Sequence, residues 1–132
     1  MAFKLADGEQ VRTVPVAVAS ATVIPAGDFA GLTAGLAVDA GASTAAIAWC
    51  PKGSADGETS CELTVGNDFT LVGTGDAVFA VSQKGTEVDL TAAQLIDVGE
   101  STTDVLKIDI SENAGTVDST DNIRVRINKP LF

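Results

Sequence analysis

Two thiols, many carboxylates and no imidazole define the chemistry open to this chain of 132 residues. Cys50 and Cys61 are separated by Pro51 to Ser60, a stretch carrying Pro51, Gly53 and Asp56-Gly57, all turn formers. Apolar Ala45-Ala46-Ile47-Ala48-Trp49 precedes that stretch and alternating Cys61-Glu62-Leu63-Thr64-Val65 follows it. The pattern predicts a hairpin with a long loop and both thiols at its neck. The pair reads either as a disulfide between Cys50 and Cys61, stabilising by about 3 kcal/mol, or as two reduced, half-buried cysteines. With no histidine and no further cysteine, the spacing does not read as a zinc site.

The other constellations each lack a part. Histidine is absent, which removes the commonest general base and any Ser-His or Cys-His pair. Ser82-Gln83-Lys84 would need a buried lysine to act as a dyad, but it adjoins Gly85, a turn former that leaves a lysine solvated. Asp118-Ser119-Thr120 lacks the glycine of an aspartic-protease motif. A glycosidase pair would want aromatic sugar platforms, and the chain has no tyrosine and one tryptophan, Trp49. Asp109-x-Ser111-x-Asn113 opens like a calcium loop, but Ala114 stands at the sixth position and Thr120 at the twelfth. A loop cation on Asp118 and Asp121 stays open. Gly73-Thr74-Gly75-Asp76 precedes neither a helix nor a lysine, so it reads as a hairpin turn rather than a phosphate loop. No catalytic residue, metal ligand or cofactor is assigned, and the chain is expected not to be an enzyme.

The elements that must carry these residues are strands. Val, Ile and Thr number 15, 7 and 14, a composition that favours sheet. Period-two alternation marks Thr86–Leu90, Leu106–Ile110 and, most strongly, Ile123–Ile127 with two arginines on the wet face. Phe69–Val72 and Ala77–Val81 are further strands. Thr91–Gly99 reads equally as one or two turns of helix or as another strand. Thr13–Val18 is a strand that Pro15 confines to an edge or a bulge. Ala21 to Ala46 is rich in Ala and Gly, and reads as an extended arm or as edge strands with a thin core. Gly27, Gly31 and Gly35 are turn or close-packing glycines. The expected fold is all-β: one domain over 1–132, a small antiparallel sandwich or barrel, with 1–45 as arm or edge strands, 46–132 as the main core and at most one short helix.

Eight basic residues face eighteen acidic ones, for a net charge of −10. Nucleic acid and anionic membranes would be repelled, so neither is an expected partner. The longest early uncharged run, Thr13 to Gly27, is broken by Pro15 and Pro25 and too short to span a bilayer. The first residues have no apolar stretch of the secretory kind. The remaining signals concern contact. Small residues from Ala17 to Ala48 permit close approach of another backbone. Met1, Phe3, Leu5, Leu131 and Phe132 are apolar ends that either dock into a neighbour or cover the chain's own core.

Four segments give the chain a likeness. The start Met1-Ala2-Phe3-Lys4, the stretch Val23-Ile24-Pro25-Ala26-Gly27-Asp28-Phe29-Ala30-Gly31-Leu32, the polar Gly115–Asn122 region and the closing Ile123–Phe132 strand and tail resemble capsid decoration (cement) proteins of tailed bacteriophages. The resemblance implies a β-rich module, made in the host cytoplasm, on the outer surface of the virion head. There it would clamp major capsid subunits, often as a trimer. A second class is a β-sandwich adhesion or head-fibre-base module that binds a host surface receptor. The low aromatic content, 5%, counts against that alternative.

Overall fold

Alternation of branched apolar and polar residues builds a closed barrel in the C-terminal half. The computed structural model describes residues 2–132. Ile123, Val125 and Ile127 of strand β11 (Ile123–Ile127) point inward and are at most 1% exposed, while Arg126 faces water. β11 lies between β7 (Leu71–Gly75) and β10 (Leu106–Ile108), antiparallel to both. β10 then pairs with β8 (Glu87–Ala92), and β8 with β9 (Leu95–Asp97). A short parallel pairing, Thr74 with Leu95 and Gly75 with Ile96, returns β9 to β7 and closes five strands into a ring. Closure removes free sheet edges. It also explains Gly75, where a Cβ would stand 2.6 Å from Val98 Cγ2 and 2.8 Å from Ile123 Cδ1.

The first third of the chain packs on this barrel as strands. β1 (Lys4–Leu5) adds to β7 at Val72 and Leu71. β3 (Asp28–Thr33) is central to a three-stranded sheet, flanked by β4 (Leu36–Asp39) and β5 (Ala48–Cys50). β2 (Thr13–Ala17) pairs with β6 (Ser60–Thr64) in a separate ribbon. Of the two readings of residues 1–45, strands rather than a free arm are what forms. Ala30 and Ala37 are fully buried, so alanine is the core material here, and the layer is thin because its side chains are short.

Pro15 is placed as an edge strand requires. Val65 N donates to Arg12 O and Val18 N to Thr59 O, so the even-numbered residues of β2 bond to β6 and the odd ones face outward. Pro15 therefore puts its missing N–H on the unpaired side, where it blocks further ladder growth.

Two apolar clusters result. The larger fills the barrel and the face below β3 and β5, with Phe3, Phe29, Ile47, Trp49, Phe69, Leu71, Phe79 and the barrel residues. The smaller holds Val18, Ile24, Ala30, Ala37, Ala48, Cys50, Cys61 and Leu63. Trp49 is buried, and its ring N–H donates to Gly27 O at 2.9 Å.

Several local expectations change. Thr91–Gly99 is a tight β8–β9 hairpin, because Leu90 and Ile96 must both reach the barrel interior, and helical spacing could not deliver both. Gly73-Thr74-Gly75 is strand rather than turn; Gly73 is bare because the Phe3 ring lies against it. Ala77–Val81 forms no strand: Phe79 makes a single bridge to Val117, and a 3₁₀ turn follows at Val81–Gln83. β5 and β6 do not pair as a hairpin. Their ladders run to β3 and β2, and Trp49 N reaches the Thr64 hydroxyl instead, at 2.8 Å.

Candidate functional site

The apolar ends are largely used within the fold. Phe3 is 2% exposed; its ring packs on Phe29 with centroids 4.4 Å apart, and its N–H bonds to Gly27 O. Of the two readings of this end, Phe3 takes the second: its side chain covers the chain's own core. Leu5 is half-buried against the larger cluster and Leu131 against the smaller. Leu131 N bonds to Ile47 O, and Gly66 N bonds to Phe132 O, so the tail is sewn along the body. Of these ends, among the described residues, only Phe132 is well exposed, at 42%. Met1 lies outside the described residues.

The tail nevertheless borders an open feature. Chain reversal at Ala34 and Gly35, both at positive φ, makes a two-residue hairpin between β3 and β4. This hairpin carries Leu32 and Leu36, each 38% exposed. Between it and the 43–46 loop runs a groove of about 440 Å³, lined by Gly31, Leu32, Val38, Thr44, Ala46 and Leu131 among others. None of the described lining residues is charged. The groove's walls come from the small-residue stretch read in the sequence. Leu32 and Leu36 were missed there; two leucines bracketing a turn in an Ala/Gly-rich segment were the available signal.

A second apolar group was also missed. Val78, Val81, Ile110 and Val117 are 48–74% exposed. They sit on the loops joining β7 to β8 and β10 to β11. Those loops are tied together by the Phe79–Val117 bridge and by Gly85, whose Cβ position is 3.0 Å from Ile110 Cγ2.

The carboxylates do structural work. Asp89, 4% exposed, accepts backbone N–H bonds from Thr102, Thr103 and Asp104 at 2.8–3.0 Å. Burial alone would raise its pKa, but these donors outweigh it and hold the carboxyl below its usual range. Asp109, the head of the calcium-like pattern, turns back on its own loop, taking bonds from Ile110 N at 2.8 Å and Ser111 Oγ at 2.6 Å. Asp121 accepts from Thr74 Oγ1. No group of three or more potential metal ligands comes together among the described residues. Asp28 on β3 and Asp39 on β4 interact directly. Burial, then the Asp28 charge beside it, pushes Asp39 up to about 7, and burial raises Asp28 as well.

Cys50 and Cys61 are both buried, at 0% and 5%, and both stand as free thiols. They are more deeply enclosed than the half-buried expectation.

No helix among the described residues is long and apolar enough to cross a membrane. No protein-family model, no curated protein and no solved structure matches the chain.

Proposed function

We propose that the protein is a capsid decoration protein: it binds the outer surface of a tailed-phage head and strengthens contacts between major capsid subunits. One observation carries this proposal. In a molecule of charge −10, the β3–β4 hairpin, the 43–46 loop and Leu131 frame a groove with no charged lining residue among those described. Small walls let another backbone approach closely, and Leu32, Leu36 and Phe132 offer apolar area at the margins. A shell subunit would lay an uncharged segment there, and the acidic remainder would face solvent and keep copies from clumping. Multiplicity over the head converts modest single contacts into large shell stabilisation. In this proposal the chain transforms no molecule, needs no cofactor and works on the virion surface, as a trimer where local symmetry gathers three copies.

The alternative, an adhesion or fibre-base module for a host receptor, draws on the second group: Val78, Val81, Ile110 and Val117 on adjoining loops. One experiment separates the two. Purified protein is titrated onto empty heads, with wild type, Leu32→Asp/Leu36→Asp and Val81→Asp/Ile110→Asp compared. Decoration predicts saturation at a fixed ratio, lost in the hairpin variant and kept in the loop variant at unchanged melting temperature. Heads that bind both variants equally overturn the groove. Binding of labelled protein to host cells without any head, abolished by the loop changes, establishes the alternative.

A further inference from the structure

Cys50 and Cys61 occupy the contact between β5 and β6, which no backbone ladder joins. Cys50 ends β5, whose ladder belongs to β3; Cys61 is the second residue of β6, whose ladder belongs to β2. β5 and β6 meet without a ladder, through the Trp49 backbone N–H on the Thr64 hydroxyl and the shared apolar cluster that holds both sulfurs; elsewhere the two sheets share a backbone bond from Ala19 N to Ala37 O. Both sulfurs lie in the one buried cluster that the two strands share. Burial first, and then the neighbouring Cys61, push Cys50 up to about 12, and burial raises Cys61.

The segment between them is arranged as a closed loop. Its first half is pinned, with Ile24 N on Ser54 O at 2.9 Å and Ser54 N on Ile24 O at 2.7 Å. Gly53 takes positive φ and fits against Ile24 O and Ala26 N, where a Cβ would come within 2.6 Å of both. The second half, Ala55 to Ser60, is exposed and leads straight to Cys61. Cys50 lies deeper, with no exposed neighbour along β5.

We propose that Cys50 and Cys61 form a latent staple: two buried thiols on adjacent strands in one cluster, which join as a disulfide when the chain enters oxidising surroundings and lock the β3–β4–β5 sheet to the β2–β6 ribbon. The inference does not depend on the proposed function. The oxidant is a small disulfide such as oxidised glutathione. Cys61 loses its proton and its thiolate attacks one glutathione sulfur; that S–S bond breaks, and one glutathione thiolate leaves and takes up a proton. Cys50 then loses its proton and attacks the Cys61 sulfur, forming the protein disulfide and expelling the second glutathione thiolate, which is protonated in turn. Two protein thiols are oxidised and one disulfide is reduced to two thiols. Because the attacking species is the thiolate, raised thiol pKa values make closure slow at neutral pH and faster as pH rises.

The test uses the full chain in buffers of reduced and oxidised glutathione. After oxidation, thiol titration in denaturant should fall from two per chain to none. The intact mass should drop by two hydrogens, with the chain still running as a monomer without reductant. The melting temperature should rise by about 10 °C, from the entropy of closing a loop of this length, and reductant should reverse the rise. Cys61→Ser should show no rise; if that variant does not fold, the wild-type thiol count and mass decide alone. Retention of both thiols under conditions that fully oxidise a control dithiol peptide overturns the inference. So does a glutathione adduct that never resolves, or a disulfide-linked dimer.

Discussion

Removing the Asp89 carboxylate should destabilise the protein by about 3 kcal/mol at neutral pH. Three backbone N–H groups, from Thr102, Thr103 and Asp104, converge on this one side chain from the loop that connects β9 to β10. A hydrogen bond to a charged group contributes about 1.5–3 kcal/mol, and bonds sharing one acceptor do not add fully. Thr102 is exposed and Thr103 and Asp104 are half-buried, so water partly satisfies the freed donors in Asp89→Ala. Together these considerations place the loss at about 3 kcal/mol, the top of the single-bond range and well below the sum of three bonds, and nearer 1 kcal/mol for Asp89→Asn, which keeps one acceptor oxygen but loses the charge and the Oδ2 acceptor. The pH dependence has a definite sign. A carboxyl held low in the fold contributes stability that is fully present above its unfolded value, about 3.9, and is lost as pH falls through the lower folded value. The gap between wild type and Asp89→Ala should therefore hold from neutral pH down to about 4 and narrow below it. Urea unfolding followed by fluorescence of the single tryptophan, the buried Trp49, reads both quantities. A loss under about 1 kcal/mol for the alanine variant, or a gap that stays constant well below pH 4, would refute the assignment of Asp89 as the ionised anchor of this loop.

Asp39 should behave with the opposite sign. Its folded pKa is raised to about 7, so the stability linked to its proton is fully present below about 3.9 and is lost as pH rises through 7. Asp39 is only partly covered and still meets water, so screening reduces the effect to about 1 kcal/mol. The melting temperature should fall across this window for wild type and fall less steeply for Asp39→Asn, in which Asp28 still titrates. Gly73→Ala should cost about 1–3 kcal/mol by pressing a methyl into the Phe3 ring, and the smaller side chain of Phe3→Leu should recover part of that loss in the double variant, as read by urea midpoint.

Residue patterning determined a good deal of this molecule. Period-two alternation at Ile123–Ile127 needs no partner to be read, because one face must be apolar and the other wet wherever a sheet is half-buried. Pro15 announced an edge or a bulge because a missing N–H is a local fact, and the pairing of β2 with β6 decided for the edge. The all-β class followed from composition and turn spacing in the same way. Thr91–Gly99 was undecidable because short apolar runs satisfy both periods; the barrel's need for Leu90 and Ile96 on one interior settled it. Gly73 and Gly75 looked like a turn because glycine is bare in turns and in close contacts alike. Phe3 and the Val98–Ile123 pair, distant in sequence, decided for contact. The same holds for the candidate contact residues. Phe3 and Phe132 are equally apolar in the sequence, yet one fills the core and the other meets solvent. Burial belongs to the assembled sheets rather than to the residue, and so does the uncharged groove, whose walls come from three separated stretches of chain.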